Sequence, residues 1–161
     1  MGVRFPPRAP KNLAFLAKLV DKKQIITKVK SLNLPLGEYV VFGSCPLAVL
    51  GIREAQDIDL LVSKELLGRL RDQGWQELVK APNDKPLTYD VFEAHDNWDF
   101  NAYSPTLETL LNSAVMLDGI PFASLEEVRK WKIASSRPKD LSDIKLINDF
   151  MTNQDKNSAI I

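Results

Sequence analysis

Two short stretches of this chain are apolar at almost every position: Tyr39-Val40-Val41-Phe42, and Ile58 to Val62 with only Asp59 interrupting. Runs this short and this apolar predict strands covered on both faces. On the N-terminal side, Leu13, Leu16 and Val20, then Ile25, Ile26 and Val29, recur at helical spacing. They predict a helix from Lys11 to about Ser31, broken near Asp21 to Lys23 and ended by Leu34-Pro35-Leu36-Gly37. After Ser63, a natural cap, Leu66, Leu67 and Leu70 mark an amphipathic helix over Lys64 to Gln73, stopped by Gly74. Trp75 to Lys80 and Leu87 to Ala94 read as the two strands of a hairpin around the turn-rich Ala81-Pro82-Asn83-Asp84-Lys85-Pro86.

Downstream the period changes to helical. Leu107, Leu110, Leu111 and Val115 predict a helix over Pro105 to Leu117, and Gly119 to Ala123 is a short extended connection. Ser124 with Glu127 three positions later forms a capping-box pattern opening a helix to about Ser135. Beyond Pro138, Leu141, Ile144, Ile147 and Met151 make the core face of a last helix, Asp140 to Met151. Residues 1–10, rich in Pro and Arg, read as a disordered or extended lead-in, and 152–161 as a frayed tail. Residues 11–151 are expected to form one domain, with a sheet core over about 38–95 and a helical part over about 105–151. The fold class is α+β: a mixed sheet backed by helices, followed by a helical C-terminal part.

The candidate chemistry lies where the two apolar strands meet polar residues. The first ends in Gly43-Ser44, and twelve residues on comes Asp57-Ile58-Asp59. Residues two apart on a strand share a face, so Asp57 and Asp59 project together while Ile58 and Leu60 point into the core. Two carboxylates in one small volume raise each other's proton affinity unless a cation neutralises them, and paired hard oxygens suit Mg²⁺. Gly43 permits close backbone approach. Ser44 reads as the N-cap of a helix starting at Cys45-Pro46 and ending near Gly51, whose free N–H groups would face a triphosphate. The same Asp-x-Asp is also what a strand with polar residues on its solvent face would show.

A hydrophobic strand ending in Gly-Ser, a short helix, then Asp-x-Asp set in apolar residues resembles the signature of the nucleotidyltransferase superfamily, the DNA polymerase beta-like group. The segment Gly119 to Glu127, then Lys132, then Arg137-Pro138-Lys139-Asp140-Leu141-Ser142-Asp143-Ile144 resembles the ending of small stand-alone bacterial nucleotidyltransferases and of abortive-infection and toxin-type members. The resemblance implies transfer of a nucleoside monophosphate from an NTP, most simply ATP, to an acceptor hydroxyl, with two Mg²⁺ ions and release of pyrophosphate. It implies Asp57 and Asp59 as metal ligands and a third carboxylate on a neighbouring strand. Thr88 to Glu93 offers Asp90 and Glu93, which face opposite ways on a regular strand, so only one can join the pair. Asp90, between Tyr89 and Val91, matches the superfamily's apolar-Asp-apolar pattern and is the choice here, as general base or as a further metal ligand positioning the acceptor hydroxyl, with Glu93 and then Asp99 behind it. Lys132, Lys139 and Arg53 are the cations expected to meet the triphosphate together with Gly43 and Ser44. Asp140 and Asp143 would either cap the last helix or tie those lysines in place. The acceptor could be RNA, a protein or a small molecule. A second class of reading is a nucleotide-binding or regulatory protein of the same shape without turnover, and a third is one component of a toxin–antitoxin pair.

Composition narrows the field. The chain is 45% hydrophobic and 26% charged, with no apolar run near membrane-span length and no secretory hydrophobic stretch in Met1 to Pro10, so a cytoplasmic protein without membrane contact is expected. The single cysteine, Cys45, reads as a small buried residue rather than a nucleophile, and His95, without sequence companions for a metal, as a strand-end residue. Net charge is zero, but residues 1–30 carry eight Lys/Arg against one Asp while 54–127 carry fifteen acidic against five basic residues. The basic end could meet RNA or an acidic partner; the simpler reading is the solvated face of an amphipathic helix bearing Lys18, Lys22, Lys23, Lys28 and Lys30.

Overall fold

The computed structural model describes residues 19–100 and 102–159. Seven strands and six helices are present among them, the strands in one mixed sheet of order β3 (Gln76–Glu77), β4 (Leu87–Tyr89), β5 (Phe92–His95), β2 (Ile58–Val62), β1 (Tyr39–Phe42), β7 (Ile120–Phe122) and β6 (Val115–Leu117). The expected lead-in over residues 1–10 and the first part of the N-terminal helix lie outside the described residues.

The central strands are β1 (Tyr39–Phe42) and β2 (Ile58–Val62), antiparallel with Phe42 opposite Asp59. Both are covered on two sides, which explains their continuous apolar sequence. Tyr39, Val41, Ile58, Leu60 and Val62 pack on one face, with α1 (Lys22–Leu32), α2 (Cys45–Val49) and α3 (Lys64–Asp72). Val40, Phe42 and Leu61 pack on the other, against Trp98, α4 (Leu107–Asn112), α5 (Leu125–Ser135) and α6 (Pro138–Ala159). The expected break near Asp21 is the true start of α1: the Asp21 side chain accepts from the Gln24 N–H and the Gln24 side chain accepts from the Asp21 N–H.

Outside the centre, three sequence expectations change. The run Leu87 to Ala94 is two antiparallel strands, β4 (Leu87–Tyr89) and β5 (Phe92–His95), joined by a two-residue turn at Asp90-Val91. Asp90 takes the left-handed conformation, φ 51°, which Asp tolerates better than most residues. The turn sends β5 back to pair with β2 in parallel, Asp59 opposite Glu93, while the short β3 (Gln76–Glu77) pairs with β4 at the sheet edge. The helix expected over Pro105 to Leu117 stops at Asn112. Val115 and its neighbours form β6 (Val115–Leu117), paired through an Asp118-Gly119 turn with β7 (Ile120–Phe122). Both turn residues have positive φ, the geometry that matches the right-handed twist of a hairpin. β7 then runs parallel to β1, with Val41 opposite Phe122.

The last helix also differs. It begins at Pro138 and continues to Ala159, past the expected end at Met151. Its buried face is Asp140, Asp143 and Ile147, and Leu141, expected in the core, is exposed. Among the described residues no helix is long and apolar enough to cross a membrane.

Candidate active site

Side chains alternate along β2 and β5, so the apolar Ile58, Leu60, Phe92 and Ala94 fill one face and Asp59, Glu93 and His95 share the other. Because β2 and β5 are parallel with Asp59 beside Glu93, these carboxylates stand on neighbouring strands at their N-terminal ends, where β1 finishes at Phe42-Gly43. Ligand atoms of Asp59, Glu93 and His95 lie within 4.8 Å of one another. His95 Nε2 is 3.6 Å from Asp59 and 4.0 Å from Glu93, and it is buried without a hydrogen-bond partner. Asp57 immediately precedes β2 and is half-buried beside this group.

Gly43 makes room for the arrangement. Its φ is +65°, and a Cβ there would fall 2.2 Å from Asp59 Oδ2. The carboxylate therefore occupies the space a side chain at 43 would fill, which accounts for Gly at the end of β1. Beneath the site, Phe42, Trp98 and Trp131 pack edge to face or tilted at centroid distances of 4.9 to 5.6 Å, and the His95 ring sits 4.8 Å from Trp98. This aromatic floor keeps water from one side of the carboxylates and raises the cost of their charge.

Burial together with Asp59 and then Glu93 pushes the Asp57 carboxyl up to about 7. Burial also raises Glu93, with Asp59 adding to the rise and Lys80 opposing it. Lys80 Nζ lies 2.6 Å from the Glu93 carboxylate. Burial works against its ammonium, but Glu93, Asp59 and Asp57 hold the Lys80 pKa above its ordinary value. Lys139, exposed at the start of α6, also draws the Asp57 carboxyl down.

Because Asp57 is held near 7 in the fold against an ordinary 3.8, the folded chain binds the extra proton between those values. Stability without metal therefore falls as pH rises from about 4 to about 7. Asp57→Asn should remove that slope and stabilise the chain at pH 8, by at most about 4 kcal/mol. Urea unfolding in the presence of a chelator, from pH 4.5 to pH 8, measures it; parallel pH profiles for the two proteins would contradict the assignment.

Several expected site residues lie elsewhere. Asp90 is in the β4–β5 turn, half exposed and 2.7 Å from Lys28 on α1, so it does not join Asp57 and Asp59; the parallel register brings Glu93 there instead. Ser44 stands at the N-cap of α2 as expected, its carbonyl accepting from the Leu47 and Ala48 N–H groups, but its side chain makes no capping bond. Its hydroxyl accepts from Arg53 Nη2 at 2.8 Å. Arg53 in turn grips Asp143 through two bonds of 2.6 and 2.7 Å. Lys132, expected to face a triphosphate, is 1% exposed, 2.8 Å from Asp143, 3.5 Å from Asp140 and over the Trp131 ring. Asp140 is also held by Arg137 at 2.7 Å. Asp140 and Asp143 thus take the tying role, and the chain Arg137–Asp140–Lys132–Asp143–Arg53–Ser44 joins the C-terminal helices to the Gly-Ser turn. Burial alone would raise both acids, but Arg53 and Lys132 hold Asp143 below the ordinary range and Arg137 brings Asp140 to about 2. The Ser124 hydroxyl accepts from the Glu127 N–H at 3.3 Å, while Glu127 itself accepts from the Tyr103 hydroxyl.

Cys45 is fully buried and donates its thiol to the Asp57 carbonyl at 3.3 Å; burial, then Asp59 and Asp57, push its pKa well up, which removes it as a nucleophile. His95 is a strand-end residue as expected, but it has companions in Asp59 and Glu93. The readable signal was the pair of i, i+2 patterns, Asp57-x-Asp59 and Glu93-x-His95, on strands that lie side by side. Lys80 carried no signal beyond its place before a turn.

No protein-family model matches this chain, and no curated protein matches it by sequence. Two solved structures are similar to it. The crystal structure of ANT(2″)-Ia in complex with adenylyl-2″-tobramycin is 15% identical with a TM-score of 0.48, over 88% of this chain and 90% of that one. The solution structure of the antibiotic-resistance factor ANT(2″)-Ia is likewise 15% identical with a TM-score of 0.48, over 92% of this chain and 94% of that one.

Proposed function

We propose that this chain transfers a nucleoside monophosphate from an NTP to an acceptor hydroxyl, releasing pyrophosphate. The observation that carries the reading is the cluster of Asp59, Glu93 and His95 beside the end of β1 at Gly43, with Asp57 two residues before Asp59 at the start of β2. The donor set suits a divalent cation: hard carboxylate oxygens, an unpartnered His95 Nε2 within 4.0 Å, and a backbone without a side chain against Asp59. Asp57, Asp59 and Glu93 would hold Mg²⁺, which when bound supplies the positive charge that lets a polyphosphate approach and its α-phosphorus be attacked.

The chain's own residues supply the remainder. Gly43 and Ser44 line the approach for the phosphates, Ser44 being held by Arg53, and Lys139 offers an exposed cation whose charge reaches Asp57. Glu93 takes the role expected of Asp90: its raised pKa suits a carboxylate that accepts the proton of the acceptor hydroxyl. The acceptor oxygen bonds to the α-phosphorus, the bond to the β-phosphate oxygen breaks, the hydroxyl proton passes to the carboxylate, and pyrophosphate leaves. ATP is the proposed donor, and the acceptor is an RNA, protein or small-molecule hydroxyl.

Incubation with each α-labelled NTP, Mg²⁺ and separated RNA, protein and small-molecule fractions of a lysate tests this directly. Label should pass to one fraction with the wild-type chain and not with Asp59→Asn. Label transfer unchanged in that variant overturns the reading. Thermal protection by NTP with no product in any fraction identifies a nucleotide-binding protein without turnover.

A further inference from the structure

We propose that Lys80 is a resident counter-ion of this site: its ammonium holds the cation position beside Glu93 while no metal nucleotide is bound, and moves to the polyphosphate when one enters. The inference rests on the reading above that Asp57, Asp59 and Glu93 take a divalent cation.

Lys80 stands where the chain leaves β3 for the turn that precedes β4. Its N–H donates to the Asp84 carbonyl at 2.9 Å and Ala81 bridges to Asp84, so the backbone under the side chain is fixed while the side chain keeps 38% of its surface exposed. The anchored stem delivers Nζ to Glu93 at 2.6 Å, and the field of Asp59 and Asp57 also reaches it. Three carboxylates close together would repel; one ammonium relieves that in the absence of metal. Among the described residues, Lys139 makes no ion pair, so Lys80 is the cation that contacts the group.

The arrangement cannot persist once metal binds. Mg²⁺ takes oxygen ligands at about 2.0–2.1 Å, and an ammonium bonded to the same Glu93 carboxylate is repelled by the dication and blocks its approach. Metal alone must therefore displace Lys80 into water, whereas metal carried with a polyphosphate gives the displaced ammonium a new anionic partner. Lysine suits this because it is a compact charge on a flexible four-carbon stem. The consequence is positive coupling: nucleotide tightens metal binding and metal tightens nucleotide binding by the same factor. An ordinary exposed ion pair, worth little, would produce no such coupling.

The test uses the full-length chain with Mn²⁺ as the paramagnetic probe, titrated alone and with a non-hydrolysable ATP analogue. Lys80→Met should bind Mn²⁺ alone about tenfold more tightly than wild type, and the tightening of Mn²⁺ by the analogue should shrink by about the same factor. Lys80→Arg, which restores the charge, should return Mn²⁺ affinity toward wild type, and Lys139→Met should weaken the analogue without tightening Mn²⁺. Mn²⁺ affinity in a folded Lys80→Met or Lys80→Gln that equals or falls below wild type, with wild-type binding still lost in Asp59→Asn, overturns the counter-ion role alone. Wild-type Mn²⁺ binding that survives Asp59→Asn overturns the metal assignment and this inference with it.

Discussion

Glu93→Gln should lower nucleotidyl transfer by about 10²- to 10⁴-fold while Asp90→Asn leaves it within about threefold. The contrast follows from register. Glu93 lies beside Asp59 on adjacent parallel strands, whose separation is about 4.8 Å, and shares its face of the sheet. Asp90 sits in the turn with φ 51°, its side chain 47% exposed and paired to Lys28 across the surface. Asn tolerates the left-handed conformation, and an exposed ion pair contributes roughly 0–1 kcal/mol, so Asp90→Asn should fold normally. Gln keeps the shape of a protonated Glu93 and removes a charge that burial disfavours, so the metal-free Glu93→Gln protein should be at least as stable as wild type. Loss of turnover in a stable protein separates a chemical role from a structural one. Initial rates of label transfer with urea midpoints for both variants provide the measurement. Equal rates for Glu93→Gln and wild type, or a collapse in Asp90→Asn, would return the third acid to the turn.

What was readable in the sequence and what was not divides along physical lines. β1, β2 and the Gly43-to-Asp59 spacing were legible because a strand covered on both faces must be apolar throughout, and a carboxylate emerging from such a run has few reasons to be there. The β4–β5 turn was hidden because Tyr89-Asp90-Val91-Phe92 contains no Gly, Pro or Asn. Its trace was a slip of phase, the buried positions changing from Leu87 to Phe92 and Ala94. That slip decided between Asp90 and Glu93. Asp118-Gly119 is a strong hairpin signal, yet the helical period of Leu107, Leu110 and Leu111 extends by coincidence to Val115, which the structure leaves 47% exposed in β6. The ties of Arg53 and Lys132 to Asp143 were not legible at all. Arg53 and Asp143 stand ninety residues apart, and a charged residue shows its partner only when the fold has placed both.

Lys132→Met should destabilise the chain by about 3–5 kcal/mol, the usual cost of removing one partner from a buried ion pair. For a domain of this length that corresponds to a fall in Tm on the order of 10 °C. Methionine fills much the same volume over Trp131, so the loss is electrostatic: Asp143 keeps Arg53 and Asp140 keeps Arg137, but both acids lose the buried ammonium between them. Acid sensitivity should change in step. The two acids have folded pKa values below the ordinary 3.8, Asp140 near 2, so their stabilisation is present above that ordinary value and is lost as pH falls through the folded one. With Lys132 gone the folded value of Asp143 rises toward the ordinary one while Arg137 still holds Asp140 down, and acid unfolding should begin at higher pH. The double variant Lys132→Met with Asp143→Leu should recover part of the loss, because a buried pair replaced by apolar side chains of similar volume is often neutral. Arg53, 31% exposed, can then turn to solvent and release Ser44, so the recovered protein should bind nucleotide more weakly than wild type although it is folded. Urea midpoints at pH 7 and pH 3 with nucleotide titrations separate these effects. A Lys132→Met midpoint within about 1 kcal/mol of wild type would mean that Arg53 and Arg137 suffice to balance the two buried acids.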